Sequence, residues 1–198
     1  MADHNLFYHE KVPVGIRIAG TVGITAAAFL AGQSASSSYI ATPALLQAPA
    51  PLLAKQWKTM WLRGRPTGVL FLAIGAIFGG LAYREQPSSS AFKLYVTSAA
   101  LITSAVPYTL ALMGPTNKAL NEKAESLASA SITDAAAEAG VEKEQTTHAL
   151  VDRWAMLNLG RALIAATSAM VALWANVSAI EVVEFGKVGL TAGANRMG

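Results

Sequence analysis

Apolar residues in this chain fall into four long runs separated by short polar or proline-marked stretches. The first covers residues 16–39, with a core at 18–31 and a softer, serine-rich end, and it can continue past Pro43 to Leu46. The second is 67–83, the third 91–113 and the fourth 155–180. Each approaches or exceeds the roughly 17–25 residues that a helix needs to cross a bilayer. The second is the shortest, about 25 Å at 1.5 Å per residue. The first run starts too late for a cleaved secretory leader and is read as a span.

The connections have their own character. Residues 47–66 read as a loop, with Pro49, Pro51 and Pro66 as breakers, and carry Lys55, Lys58, Arg63, Arg65, Trp57 and Trp61. Residues 84–90 form a short polar turn. Pro107 is placed to kink the third run, and Gly114-Pro115 to end it. Leu120, Ala124 and Leu127 have helical spacing, which predicts a short amphipathic helix after Pro115. Gly140 separates it from a second helix expected to run unbroken from about Val141 to Ile180. The expected fold class is all-α: a polytopic membrane four-helix bundle with an extramembrane helical hairpin before the last span. A polar leader at 1–15 and a loose tail at 181–198 flank a transmembrane domain at 16–180, which includes a helical loop at 115–152. Gly75 and Gly79 form a GxxxG pattern that allows close helix contact. Such faces also leave room for a homo-oligomer.

Composition sharpens this picture. The chain has 198 residues, 53% hydrophobic and only 14% charged, against about 25% charged in soluble domains. A net charge of +3 is small and scattered, so it fits membrane orientation rather than a nucleic-acid surface. By the positive-inside rule the first and third loops face the cytosol and the termini the lumen or exterior. There are no cysteines, which excludes disulfides, thiolate chemistry and cysteine-ligated metals. Of three histidines, His4 and His9 lie in the leader without HExxH-type neighbours, so no metal centre is expected. No GxSxG turn, phosphate-binding loop or Rossmann glycine pattern occurs.

The chemistry concentrates at the start of the fourth run. An arginine or asparagine facing lipid at that depth costs on the order of 2–3 kcal/mol or more, so such residues face a protein interior or a wet cavity. Trp154, Asn158 and Arg161 follow i, i+4, i+7 and share one helix face. The topology brings the end of span one, loop one, the end of span three and the start of span four to one membrane face. That gathers Tyr39, Trp57, Arg63, Arg65, Asn117, Trp154, Asn158 and Arg161. Each has a plain alternative: Arg161 snorkelling to headgroups, Asn158 bonding another helix, the tryptophans and Tyr39 as interfacial anchors, Arg63 and Arg65 as topology determinants, Asn117 as a helix cap. His148 and Asp152, spaced i, i+4, form either a base with its orienting partner or a solvated helix face.

Three segments carry a family resemblance: Lys55-Gln56-Trp57-Lys58-Thr59-Met60-Trp61-Leu62-Arg63-Gly64, Pro115-Thr116-Asn117-Lys118-Ala119-Leu120 and Arg153-Trp154-Ala155-Met156-Leu157-Asn158-Leu159-Gly160-Arg161. Together with four apolar spans they resemble the anthrone oxygenase-like membrane proteins, over residues 16–180. Trp61 stands where that family is expected to carry tyrosine. The resemblance implies oxidation of an anthrone-like aromatic polyketide to a quinone with molecular oxygen as co-substrate and no metal, flavin or haem. It implies an integral protein of the endoplasmic reticulum or another intracellular membrane. Under it, Arg161 stabilises the developing oxyanion, Asn158 and Asn117 donate hydrogen bonds, and Trp154 and Trp57 sandwich a flat aromatic substrate, with Arg63 and Arg65 nearby. Tyr39, His148 and Asp152 are the candidate bases. Rival readings are a carrier of apolar small molecules, another cofactor-free polyketide reaction, and a structural helix-packing protein with a closed, dry bundle around Asn158.

Overall fold

In a computed structural model the described residues are 13–194, with side chains described as far as Ser178; residues 1–12 and 195–198, parts of the leader and tail expected from sequence, lie outside them. Among the described residues all regular structure is helical. Helix α1 spans Val14–Ser36, widens into a π-helical turn at Ser37–Ala41 and closes with the single turn α2, Thr42–Leu45. Helix α3 is Ala50–Gly64, α4 Thr67–Arg84 and α5 Ser90–Tyr108. A second π turn, Thr109–Met113, joins α5 to α6, Gly114–Ser126. After turns and a short 3-10 segment at Lys143–Gln145, α7 runs from Thr147 to Ala194.

Among the described residues four helical stretches are long and apolar enough to cross a membrane: Val14–Leu45, Ala50–Arg84, Ser90–Ser126 and Thr147–Ser178. Around the bundle α4 packs on α5 and α1, and α7 packs on α5 and α1. The inner core joins Ala27 and Leu30 of α1, Phe71 and Phe78 of α4, Ile102 of α5, and Ala165, Ala169 and Ala172 of α7. The alanines lie at i, i+4, i+7 and let α7 approach its neighbours closely. Ile18, Phe29, Leu163, Met170 and Trp174 point outward and stay exposed, the outer face that lipid requires.

The stretch expected as a loop at 47–66 is mostly helix. Pro49 precedes α3 and Pro51 sits in its first turn, where a missing N–H costs nothing because no intrahelical acceptor exists for it. Gly114-Pro115 likewise does not end the third helix. Pro115 occupies the first turn of α6, and the π turn before it, two residues after Pro107, carries the helix from α5 into α6. Only one helix of the expected hairpin ends as the spacing indicates. The returning arm starts at Thr147 rather than Val141, and the backbone helix continues across most of the stretch expected as a loose tail.

Above the apolar bundle sits a second core. Leu53 and Trp57 of α3, Met113, Leu120 of α6, and Val151, Trp154 and Ala155 of α7 pack together. Lys123 of α6 donates to Glu138 Oε1 at 2.7 Å. Glu138 accepts from the Thr147 backbone N–H at 2.9 Å and hydroxyl at 3.0 Å, which caps α7 with a carboxylate. This cap ties α6 to the start of α7, and the Lys58–Glu125 pair joins α3 to α6.

Candidate functional site

A cavity of about 470 Å³ opens under this cap, between α1, α3, α4, the second π turn, α6 and α7. Its size falls in the range of roughly 300–1,000 Å³ typical of small-molecule sites. Arg161 and Phe71 form part of its lining, with Trp61, Trp154 and Met113 on the walls and Arg63, Arg65 and Gln33 at the exposed rim. A cavity thus lies beside Arg161, while Asn158 itself is enclosed in the bundle.

The Arg161 guanidinium is aimed by a buried network. Asn158 is completely buried at 0% exposure. Its Nδ2 donates to the Ser34 backbone carbonyl at 2.8 Å and to the Ser38 hydroxyl at 2.9 Å. Those acceptors sit where α1 gives way to its π turn. With Nδ2 so placed, Oδ1 faces α7 and accepts from Arg161 Nη2 at 2.6 Å. The guanidinium carbon lies 5.8 Å from the Phe71 ring centroid, a cation–π arrangement. Arg161 Nε and Asn117 Oδ1, on two cavity-lining residues, are buried with no hydrogen-bond partner among the described residues.

Tyr108 braces the same region. Its hydroxyl donates to the Leu157 carbonyl at 2.9 Å, the carbonyl one turn before Arg161. Gly160 makes this approach possible, since a Cβ there would overlap the Tyr108 hydroxyl. Trp61 forms the aromatic wall. The Arg65 guanidinium lies over its ring at 5.1 Å, and Trp57 stacks behind it at 5.9 Å with an interplanar angle of 20°. Trp154 meets Trp57 edge-on at 6.2 Å.

Of the residues singled out from sequence, Arg161, Asn117, Trp154, Arg63 and Arg65 line the cavity. Asn158 lies directly behind it as the holder of Arg161. Three expectations are corrected. Tyr39 is 80% exposed and points away, because the π turn rotates it to the outer face. Trp57 has 0% exposure and backs Trp61 instead of facing a substrate. None of the candidate bases reaches the cavity: His148 Nε2 pairs with the Ala48 carbonyl at 3.0 Å, and Asp152 faces outward. Sequence reasoning missed Phe71, Tyr108 and Gln33. For Tyr108 a signal existed, an aromatic next to Pro107 in an otherwise aliphatic span; Phe71 looks like any core aromatic.

Fold and site together define a polytopic helical membrane protein with an aromatic, arginine-bearing cavity at one end of its bundle. The sequence profile of the anthrone oxygenase family matches residues 57–171, the stretch that supplies the cap, the π turn and the Arg161 face. The chain is 30% identical over 164 residues to the anthrone oxygenase encC of Aspergillus fumigatus, covering 78% of this chain and 90% of that protein. It is also 30% identical over 137 residues to the anthrone oxygenase ptaC of Pestalotiopsis fici, covering 68% and 93%. No solved structure matches it. The chain belongs to the anthrone oxygenase family.

Proposed function

We propose that this protein oxidises an anthrone-like aromatic polyketide to the corresponding quinone with molecular oxygen, in a membrane. The observation that carries the reading is the Arg161 guanidinium, held by Asn158 beside the Phe71 ring in a cavity that Trp61 and Trp154 also line. A flat tricyclic ketone fits between such walls, and its carbonyl oxygen meets the cation.

The chemistry needs no resident cofactor, because the substrate anion is itself the electron donor. An anthrone has a methylene between two aryl rings, conjugated to a ketone. Loss of one proton moves negative charge onto the ketone oxygen, where Arg161 stabilises it. A preorganised donor of this kind is worth about 10²–10³ in rate. The anion passes one electron to oxygen, and the resulting carbon radical and superoxide combine at the former methylene to give, after protonation, a hydroperoxide. Loss of the remaining C–H proton with cleavage of the O–O bond forms the second carbonyl and releases water. Anthrone plus oxygen thus balances to quinone plus water.

The cavity lining carries three guanidinium groups and no carboxylate or imidazole. The proposal therefore assigns the first proton to water or hydroxide at the rim, with the arginine field making the methylene of the bound ketone more acidic. In this proposal Asn117, a residue of the cavity lining, hydrogen-bonds a ring substituent. The test is oxygen uptake and quinone absorbance with purified protein, an anthrone and no added cofactor. One oxygen consumed per quinone, well above the spontaneous rate, is expected. Uptake no faster than the protein-free control defeats the reading, and release of unchanged anthrone would mark a carrier.

A further inference from the structure

We propose that the cavity has a second mouth, opening sideways to the bilayer between α4 and the second π turn, and that Gly68 keeps it wide enough for a flat apolar molecule to enter from the lipid. The inference rests on the oxygenase reading for the kind of guest, an aromatic ring system, and not for the route.

Three observations converge. First, Leu110 lines the cavity and is also 72% exposed, so the cavity reaches the outer surface of the bundle where the π turn passes. Val69 and Leu72 near Gly68, and Leu112 near Leu110, are exposed apolar side chains, a surround suited to lipid. Second, Gly68 shares a helix face with Phe71, Gly75 and Phe78, at i, i+3, i+7 and i+10, and those three are buried. A side chain at position 68 would therefore point inward, and Gly68 itself lines the cavity. Third, the α4–α5 contact opens along its length. A Cβ on Gly75 would collide with the Thr103 hydroxyl, whereas a Cβ on Gly68, two turns nearer the cavity, meets nothing within 4 Å. The two helices pack together across a short turn and run antiparallel. Two turns on from Thr103 therefore brings Leu110 level with Gly68, and the gap between them is the mouth.

The two openings differ in character. The rim at the end of the bundle carries Arg63, Arg65 and Gln33, whereas the side mouth is edged by a glycine and a leucine. A guest dissolved in hydrocarbon reaches Arg161 through the side mouth without first entering water. Water and protons use the arginine rim.

The experiment follows entry and exit of the unreactive quinone 2-methylanthraquinone by stopped-flow quenching of tryptophan fluorescence, with the full-length protein in nanodiscs of zwitterionic lipid. Narrowing a mouth raises the barrier between two end states that it leaves alone, so both rates fall together. Gly68→Leu is expected to slow entry and exit each by about tenfold or more, with a much smaller change in affinity. Leu110→Ala, which only removes atoms from an exposed position, is expected to speed both. Gly79→Leu, the same change on the same helix away from the cavity, is expected to behave as wild type. Entry into Gly68→Leu as fast as into the wild type overturns the proposal, whether or not affinity falls, because Gly68 is then at most a wall. Equal slowing by Gly79→Leu overturns it too. A wild type that binds no flat quinone removes both this route and the oxygenase reading. The expected rate pattern without any oxygen uptake on an anthrone leaves the mouth standing and removes the oxygenase reading alone.

Discussion

Arg161 donates to Asn158 Oδ1 at 2.6 Å, and the same asparagine is pinned to α1 through Ser34 and Ser38. The cation in the cavity is therefore oriented by a second helix rather than by its own flexibility. Arg161→Ala is expected to lower kcat/KM for an anthrone by about 10²–10³-fold. Asn158→Ala keeps the charge but frees it, and a loss of up to about 10²-fold follows. The double variant is expected to fall far short of the product of the two losses, because both remove one device. Oxygen-uptake kinetics on the three variants measure this. An Asn158→Ala protein that turns over like wild type would show that orientation does not matter.

The aromatic residues divide by position. Trp61→Ala removes the exposed wall and is expected to raise KM with a small change in melting temperature. Trp57 is fully buried among Leu53, Met113, Leu120 and Val151, so Trp57→Ala is expected to destabilise by about 3–5 kcal/mol. Tyr39→Phe, at a side chain facing outward, is expected to leave both activity and stability unchanged. Thermal melts paired with steady-state kinetics separate the three. A large loss of activity in Tyr39→Phe would contradict its placement.

The two glycines of the GxxxG pattern are not equivalent. A Cβ on Gly75 would collide with the Thr103 hydroxyl and touch Ile102 across the α4–α5 contact, while a Cβ on Gly79 meets open space. Gly75→Leu is expected to cost about 1–3 kcal/mol through overpacking. Gly79→Leu is expected to be near neutral or slightly stabilising in the helix. Detergent melting curves of the two variants provide the comparison, and equal losses would mean that Gly79 faces a helix in a larger assembly.

Glu138 supplies a pH dependence. Burial alone would raise its carboxyl, but hydrogen bonds from Lys123 and from the Thr147 N–H and hydroxyl outweigh that and hold it below its ordinary value of 4.5. A carboxylate depressed in the folded state stabilises the fold above its unfolded value, and that contribution is lost as pH falls through the folded value. The melting temperature of the wild type is thus expected to drop on acidification below about pH 4.5. Glu138→Gln is expected to melt lower at neutral pH and to lose part of this acid sensitivity. A variant whose acid profile overlays that of the wild type would remove Glu138 as the source.

Much of this was legible in the chain itself. Four apolar runs and scarce charge point to a helical membrane bundle, since backbone polar groups in lipid must be satisfied within the segment. The i, i+4, i+7 spacing put Trp154, Asn158 and Arg161 on one face, and connectivity alone brought loop one and the end of span three to it. Local rules failed at the prolines. Pro51 and Pro115 read as breakers, yet each lies in a first helical turn, which only the flanking backbone could reveal.

Covalent spacing and hydropathy thus settled which helices exist and which end of the bundle holds polar chemistry, because both depend on periods along one segment. Rotation of each segment about its own axis belonged to packing. The span windows of α1 and α4 are apolar on their lipid and core faces alike, so nothing in the sequence says that Tyr39 turns out or that Phe71 comes under Arg161. Those outcomes follow from two π turns and from glycine contacts between helices far apart in the chain, which exist only once the helices meet.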